Sequence, residues 1–408
     1  MYKKENRSKI SIHKPLFIYW FLQMLLLFIG ITSKGGTLDT ILKTTILGTL
    51  CFYIFFKAYR ERIKININSF FIWFLYIISQ LVTLIININE TPPSMSSIIS
   101  KILYPAISIF VFIILLKKEK LEKKDLVNFL NLFVGAIVFM CIYNLYTNWF
   151  AMRNIFAVSS AYGNEMRSFL DSNHVFGFYI FIGIISCLVI INQCKKKQKW
   201  YYFIIVFLAF NLITTFSRTS TMSLIIFILL MSIQNANKKG LRTLMILGTV
   251  ILLIFSIPPI EDYVIKVFFK LESGLSHRDE IYAVGWNIFK SGNILFGNGY
   301  DNPIEILRTR LDRGGFHNTY ISLLAYGGIV MFSFFIGLIV FSLKIAMNIK
   351  KHDKFMGSVF LSLIISILSY SVAENMIFFF SSATYFIATC FCILIPLYYR
   401  NYLMSKNC

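Results

Sequence analysis

Four side chains stand where chemistry is possible: Arg167, Arg218, Arg278 and His317. Arg218 sits in Thr214-Thr215-Phe216-Ser217-Arg218-Thr219-Ser220, a short polar break between two apolar runs. A guanidinium in or beside hydrocarbon is costly, so its presence there is a functional hypothesis. The plain alternative is an Arg that snorkels from a helix end to a headgroup phosphate. Ser217, Thr219 and Ser220 around it suit anion binding at a helix N-terminus. Arg278 lies in the first turn of an expected loop helix, where a cation opposes the helix dipole; the alternative is an exposed loop Arg. Arg167 lies in Met166-Arg167-Ser168-Phe169-Leu170-Asp171-Ser172-Asn173-His174, with an interfacial anchor as its alternative. Guanidinium groups match phosphate oxygens bidentately, so the three together could clamp a diphosphate.

His317 lies in Gly314-Gly315-Phe316-His317-Asn318-Thr319-Tyr320, where a long loop returns to an apolar run. Imidazole titrates near neutrality and can act as a general base. Its alternative is an interfacial polar residue or a capping neighbour of Asn318. Glu374 is the acid of the last outer turn and reads as a partner for an Arg rather than as a catalytic acid. His174 and His277 fall on the same side in less suggestive surroundings. The scatter of the three histidines lacks metal-ligand spacing, so no metal is expected. No phosphate-binding glycine motif, nucleophile elbow or HExxH pattern occurs, nothing points to ATP, and no cofactor is expected.

These residues need a scaffold, and the composition says which kind. The 408 residues are 57% hydrophobic and 14% charged, with 42 Phe and 22 Tyr. One soluble core could not hide that much apolar surface. A soluble enzyme, a disordered chain and a disulfide scaffold are excluded. Apolar runs recur at about 15–32, 38–56, 69–87, 98–116, 129–147, 174–191, 200–216, 220–233, 241–257, 319–343, 355–373 and 381–398. About 20 residues cross the hydrocarbon as a helix. The expected fold is an all-α polytopic integral membrane protein of about 12 transmembrane helices, residues 1–408 forming one transmembrane domain. The run from Pro15 lacks a small-residue cleavage site and reads as a retained helix.

The formal net charge of +21 is topological rather than a nucleic-acid patch, because basic residues collect in cytoplasmic loops. With both termini inside, 27 of the 40 Lys and Arg fall in inner connections and termini and 11 in outer ones. Seven of those 11 lie in one long outer loop, 258–318, and long loops escape the rule. This loop is expected to fold as a small helical cap. Ser276 would cap a helix with Tyr282, Trp286 and Ile288 on its apolar face. Gly297-Asn298-Gly299 marks a tight turn. Asn302-Pro303 would start a second helix, with Pro at its first position, and Gly314-Gly315 would end it. The second long outer connection is 148–173. The seven Cys lie in apolar runs, beside a lysine cluster or at residue 408, so no structural disulfide is expected. No internal repeat or low-complexity segment is present.

At these residues the chain resembles the O-antigen polymerase and ligase superfamily, including Wzy-type capsule and exopolysaccharide polymerases. Arg167…Asn173 resembles the Arg and Asn-containing stretch before a mid-chain helix. Ser217-Arg218-Thr219 resembles the Ser-Arg-Thr/Gly element. Gly292-Asn293-Ile294-Leu295-Phe296-Gly297-Asn298-Gly299 is similar to a P-L-F/L-G-x-G element with its Pro absent. His317-Asn318 through Gly327-Gly328 resembles the loop's closing His-Asn and the glycine pair after it.

The resemblance implies a GT-C-like, metal-independent, inverting glycosyltransferase in the bacterial cytoplasmic membrane. It would act on the outer face with a glycan donor on polyprenyl (undecaprenyl) diphosphate. Arg218 and Arg278 would hold the diphosphate, assisted by Arg167, and His317 would deprotonate the acceptor hydroxyl. Ser217, Thr219, Asn318 and Glu374 would support them. The implied partners are the lipid-linked oligosaccharide, membrane lipid, a chain-length regulator and a flippase, with no nucleic acid. A polymerase takes another lipid-linked repeat unit as acceptor; a ligase takes lipid A core. A composition rich in Lys, Ile, Asn and Phe suggests an AT-rich genome, often Gram-positive, which favours the polymerase. The rivals are a lipid-linked oligosaccharide flippase, a peptidoglycan polymerase of the shape, elongation and division type, and a structural partner of another enzyme. A flippase predicts repeats and midplane charges; the peptidoglycan polymerase predicts an external catalytic Asp; a structural partner predicts dispensable arginines.

Overall fold

The computed structural model describes residues 71–88, 123–149, 166–170, 172–193, 198–234, 278–375 and 387–406, with single positions at 52, 56, 245 and 249. Among them the regular structure is helical. The helices are α1 (Phe71–Ile86), α2 (Lys123–Thr147), α3 (Asn173–Gln193), α4 (Gln198–Thr214), α5 (Arg218–Gln234), α6 (Arg278–Ser291), α7 (Asp301–Leu311), α8 (Thr319–His352), α9 (Lys354–Ala373) and α10 (Ile395–Lys406). A π-helical turn, Cys390–Leu394, leads into α10.

Five helices in this set are long and apolar enough to cross a membrane, and α1, the stretch Lys199–Thr214 of α4, and α5 are shorter apolar helices. They account for eight of the 12 expected runs. Apart from the single positions 52, 56, 245 and 249, the runs at 15–32, 38–56, 98–116 and 241–257, the retained first helix among them, lie outside the described residues, as do Asp171, Ser276 and His277. The helix of run 319–343 extends to His352. The span of run 381–398 begins, as described, at Ile387.

The apolar sequences sort themselves by neighbour. On α1, Trp73, Tyr76, Gln80 and Thr83 are buried while Phe74, Leu81 and Ile85 face outward, the one-sided pattern of a helix at the rim of a bundle. On α4, Trp200, Phe203, Val206 and Phe210 form an exposed apolar ridge, as a lipid-facing surface should. Helix α3 is buried on nearly every face; it packs against α2, α4 and α5. In lipid, close helix approach comes from small residues rather than from the hydrophobic effect. Ser358, Ser362 and Ser366 supply such a stripe on α9, and Ser220 and Ser223 on α5 are buried likewise. The α8–α9 and α5–α9 pairs are among the most extensive in the bundle. Cys141, Cys187, Cys390 and Cys392 are buried free thiols.

Contacts mark the two ends of the bundle. At one end Lys350 Nζ donates to Gln234 Oε1 at 2.8 Å, Gln234 Nε2 donates to Ser362 Oγ at 3.0 Å, and the Tyr399 hydroxyl donates to Asp353 at 2.7 Å. The other end gathers the starts of α3, α5, α6 and α8 and the end of α9, described below.

The long loop folds as two helices, with differences from the sequence expectation. Helix α6 buries Ile281, Gly285, Ile288 and Phe289. Trp286 is 43% exposed, carrying Lys290 5.3 Å above its ring, so the buried face is rotated from the expected one. Helix α7 starts at Asp301, which puts Pro303 in its first turn but not at the first position. It ends at Leu311, before Gly314-Gly315, because Asp312 takes the left-handed conformation (φ 52°) and its N–H caps the helix.

The Gly297-Asn298-Gly299 turn has a structural partner. Helix α8 breaks at Gly328, whose φ is 63°. The break frees backbone groups, and the loop takes them up. Ile329 N–H donates to Ile294 O at 2.9 Å and Val330 N–H to Leu295 O at 3.1 Å. Asn298 N–H donates to Ala325 O and Gly299 N–H to Tyr326 O, each at 3.1 Å. Irregular backbone near a membrane must be satisfied in this way. A Cβ at Gly328 would stand 2.5 Å from the Leu295 backbone, and one at Gly297 would strike Tyr326 O. The two glycine motifs of the sequence are thus one joint, and it fixes the cap on α8.

Candidate active site

Glu374 ends α9 and is the centre of the cluster. Its side chain is 10% exposed. Arg278 Nη2 donates to Oε1 at 3.0 Å, His317 Nδ1 stands 3.1 Å from Oε2, and His174 Nε2 lies 3.8 Å from Oε1. Three connections, distant in sequence, therefore meet at one carboxylate. Burial by itself would raise the Glu374 carboxyl. The His317 hydrogen bond and the charges of His174, His317 and Arg278 outweigh it and hold the group below its ordinary value. The carboxylate is the form expected at neutral pH.

His317 is held by geometry as well as by this bond. Its φ is 49°, in the left-handed region that costs non-glycine residues about 1–3 kcal/mol and clusters at functional sites. The next residue, Asn318, caps α8: its Oδ1 accepts from Tyr320 N–H at 2.9 Å and Ile321 N–H at 3.1 Å, worth about 1 kcal/mol. The Thr319 hydroxyl donates to Glu374 O at 3.1 Å. The Tyr282 hydroxyl of α6 donates to Val372 O at 3.0 Å, with His317 O 3.4 Å away. Burial pushes the Tyr282 hydroxyl up and keeps it a donor. The His317 side chain remains 48% exposed. With Nδ1 on the carboxylate, the opposite ring nitrogen, Nε2, is the one left to face a substrate.

Arg218 is the first residue of α5. The chain reaches it through Phe216, at φ 51°, so the polar stretch is a break followed by a helix start. Ser217 and Ser220 are fully buried; their Oγ atoms are 2.7 Å apart, and Thr219 Oγ1 is 3.4 Å from Ser217 Oγ. The Arg218 and Arg278 charges are close enough to oppose each other. Two guanidiniums kept near each other, one of them tied to a buried carboxylate, make a positive edge suited to an anion. Arg278, however, shares its charge with Glu374. Arg167 stands on the turn at 166–170, where Ser168 takes φ 57° and its hydroxyl donates to Met140 O on α2 at 2.9 Å. It precedes α3 rather than joining the contacts at Glu374.

His174 is the residue that sequence reading passed over. It lies in the first turn of α3. Its Nδ1 is 3.4 Å from Ser217 Oγ, so it stands between the Arg218 element and Glu374. Tyr370, one turn before Glu374, donates its hydroxyl to His174 O at 2.9 Å. The available signal was position: His174 opens a span on the same side as the arginines. Among the described residues no group of His, Cys, Asp or Glu has the arrangement to hold a metal ion.

An all-helical, membrane-spanning bundle with an Arg, His and Glu cluster at one end defines the class. Residues 203–336 match the family model described as O-antigen ligase, consistent with the O-antigen polymerase and ligase superfamily that the motifs resemble. The match takes in 134 of the 408 residues and includes Arg218, Arg278 and His317; Arg167, His174 and Glu374 lie outside it. No curated protein matches the chain. The family points to O-antigen ligase or polymerase type function in the general sense.

Proposed function

We propose that the protein is a polysaccharide polymerase that joins oligosaccharide repeat units carried on polyprenyl diphosphate, at the outer face of the bacterial cytoplasmic membrane. The observation that carries this reading is the His317–Glu374 pair beside Arg278 and Arg218. Glu374 holds the proton of His317 on Nδ1 and leaves Nε2 basic, which is how a carboxylate fixes an imidazole tautomer. Nε2 takes the proton of the acceptor hydroxyl while its oxygen attacks the anomeric carbon. The bond from that carbon to the phosphate oxygen breaks with inversion, and the electron pair leaves on the diphosphate. Arg218 and Arg278, assisted by Arg167, stabilise the charge that develops there. Ser217 and Thr219 support the α5 start from which Arg218 projects, and Asn318 keeps His317 on the end of α8. The leaving group carries its own activation, so this route needs neither metal nor nucleotide.

The ligase is the second reading, favoured by the description of the matching family. It uses the same groups and differs in its acceptor, a lipid A core in place of a second lipid-linked unit. The test is glycan length in a deletion strain rescued with wild type or His317→Ala, with membrane levels matched. Loss of long polymer, with a single lipid-linked unit left on the outer face, is the expected result. Normal polymer in the variant removes His317 as the base. Single units transferred to lipid A core by wild type would replace polymerase with ligase, and units trapped on the cytoplasmic face would indicate transport.

A further inference from the structure

We propose that Asn375 binds the acceptor sugar beside His317, and that Gly314 and Gly315 are bare so that the sugar can reach it. This deepens the reading of His317 given above, on which it rests. Asn375 follows Glu374, the carboxylate that stands 3.1 Å from His317 Nδ1. The segment is fastened to the start of α8 at both residues. The Thr319 hydroxyl donates to Glu374 O at 3.1 Å, and the Ser322 hydroxyl donates to Asn375 Oδ1 at 3.0 Å. Ser322 is fully buried, so the second bond satisfies a hydroxyl closed off from water. It also fixes the amide. With Oδ1 taken by Ser322, Nδ2 is the end left over, and it donates to no acceptor among the described residues. An amide held in this way offers a ligand its two N–H donors.

Nδ2 lies beside the loop that carries His317. A Cβ on Gly315 would have Asn375 Nδ2 as its neighbour at 3.9 Å, and one on Gly314 would meet nothing within 4 Å among the described residues. The fold itself gives neither glycine a reason. Neither has a φ in the left-handed region, where glycine is needed. Neither is crowded, and α7 has already ended at Leu311 through Asp312. Alanine at such a position ordinarily stabilises a protein by restricting the unfolded chain. Bare backbone has a use outside the fold, because it lets a ligand approach closely. Both observations converge on one place. The space over Gly315 is bounded by the free amide donor. Phe316 is buried, so the next exposed side chain along the loop is His317 itself.

The two side chains divide the recognition of one sugar. His317 Nε2 accepts the proton of the attacking hydroxyl. Asn375 Nδ2 donates to a neighbouring oxygen of the same ring and so selects which hydroxyl faces the base. The ligand class follows: a sugar that carries an oxygen acceptor, a hydroxyl or an N-acyl carbonyl, beside the hydroxyl that reacts. A sugar deoxygenated at that neighbouring position would leave the amide unpaired, which is how a site built around a hydrogen bond rejects an analogue that lacks it.

The test is transfer by the full-length protein in liposomes, with lipid-linked repeat units extracted from the deletion strain as donor. The acceptor is the same lipid-linked unit with a methylene in place of its anomeric oxygen. It keeps the lipid and both phosphorus groups but cannot leave, so it accepts without donating and the two KM values separate. Asn375→Ala and Gly315→Ala are each expected to raise the acceptor KM about 5-fold to 10-fold, the worth of one hydrogen bond, and to keep the donor KM within about 2-fold. Gly315→Ala is expected to do so with a thermal midpoint equal to or above that of wild type, since its methyl would cover the Asn375 amide and clash with nothing. A structural role predicts a lower midpoint and an equal loss for both substrates. That result, or an unchanged acceptor KM in both variants, would overturn the proposal. Full activity of His317→Ala would instead remove the reading on which it rests.

Discussion

His317 Nδ1 and Glu374 Oε2 are 3.1 Å apart although 57 residues separate them in the chain. One residue closes the long loop that leads into α8 and the other ends α9. The carboxylate is buried and the imidazole half exposed, so the bond runs from the protein interior toward the place where an acceptor would stand. Tyr282 and Thr319 brace it from both sides. This is support for a base, since a catalytic ring must be held in one tautomer and orientation by packing and outer hydrogen bonds.

Glu374→Gln is therefore expected to reach the membrane and to lose activity on the order of 100-fold or more, with partial recovery in Glu374→Asp. The amide keeps an acceptor for Nδ1 but removes the negative charge that His317 and Arg278 share. Glycan length and in vitro transfer rate measure this. Wild-type activity in the Gln variant would show that the carboxylate does not orient the base.

The same group predicts a pH dependence of stability. Its folded-state pKa is depressed, so its contribution is complete above the unfolded value of about 4.3 and is lost as pH falls through the lower, folded value. Thermal melts of purified wild type and Glu374→Gln should differ at pH 7 and converge below about pH 4. A gap that persists unchanged in acid would mean that Glu374 is not ionised in the fold.

Much of this arrangement could be read in the sequence, and the reason is physical. A helix that must cross about 30 Å of hydrocarbon announces itself in hydropathy. Sidedness follows from charge, so Arg218, Arg278, His317 and Glu374 could be put on one face before any contact was known. Glu374 as an Arg partner was legible because it is the acid of its connection. Contacts across helices were not. His174 looks like an unremarkable first-turn residue until α3 is set against α5 and α9. Nor does the sequence say that Gly297-Asn298-Gly299 and Gly327-Gly328 are two halves of one joint, because backbone hydrogen bonds between distant segments leave no pattern in residue type. The rotated face of α6 has the same origin: Gly285 is buried under Phe316 and Ile321, a contact that only the fold supplies.

Arg218 offers a test of recognition geometry. A planar guanidinium can meet two phosphate oxygens at once, and an ammonium cannot. Arg218→Lys keeps the charge at the start of α5 and is expected to lose transfer activity by about 10-fold or more, as for a bidentate charged contact worth about 1.5–3 kcal/mol. Arg218→Ala should lose more. Full activity in Arg218→Ala, measured at equal membrane levels, would dismiss the diphosphate clamp. Activity in the Lys variant equal to wild type would reduce Arg218 to a point charge.

The joint between the cap and α8 can be tested apart from chemistry. Gly328 has φ 63° and the Leu295 backbone where its Cβ would go; Gly337, on the same helix, has φ in the ordinary range and Ile72 at a comfortable 3.5 Å. Gly328→Ala must adopt φ 63° with ψ −164°, a conformation essentially confined to glycine that costs about 1–3 kcal/mol, and must also push the loop off the freed groups of Ile329 and Val330. Gly337→Ala, by contrast, gains about 1 kcal/mol of helix propensity. The thermal midpoint in detergent is expected to fall for Gly328→Ala and to hold or rise for Gly337→Ala. Activity should fall with the first, because the joint sets where α6 presents Arg278. Equal midpoints for the two variants would mean that the glycine pair and the Gly-Asn-Gly turn do not lock the cap to the helix.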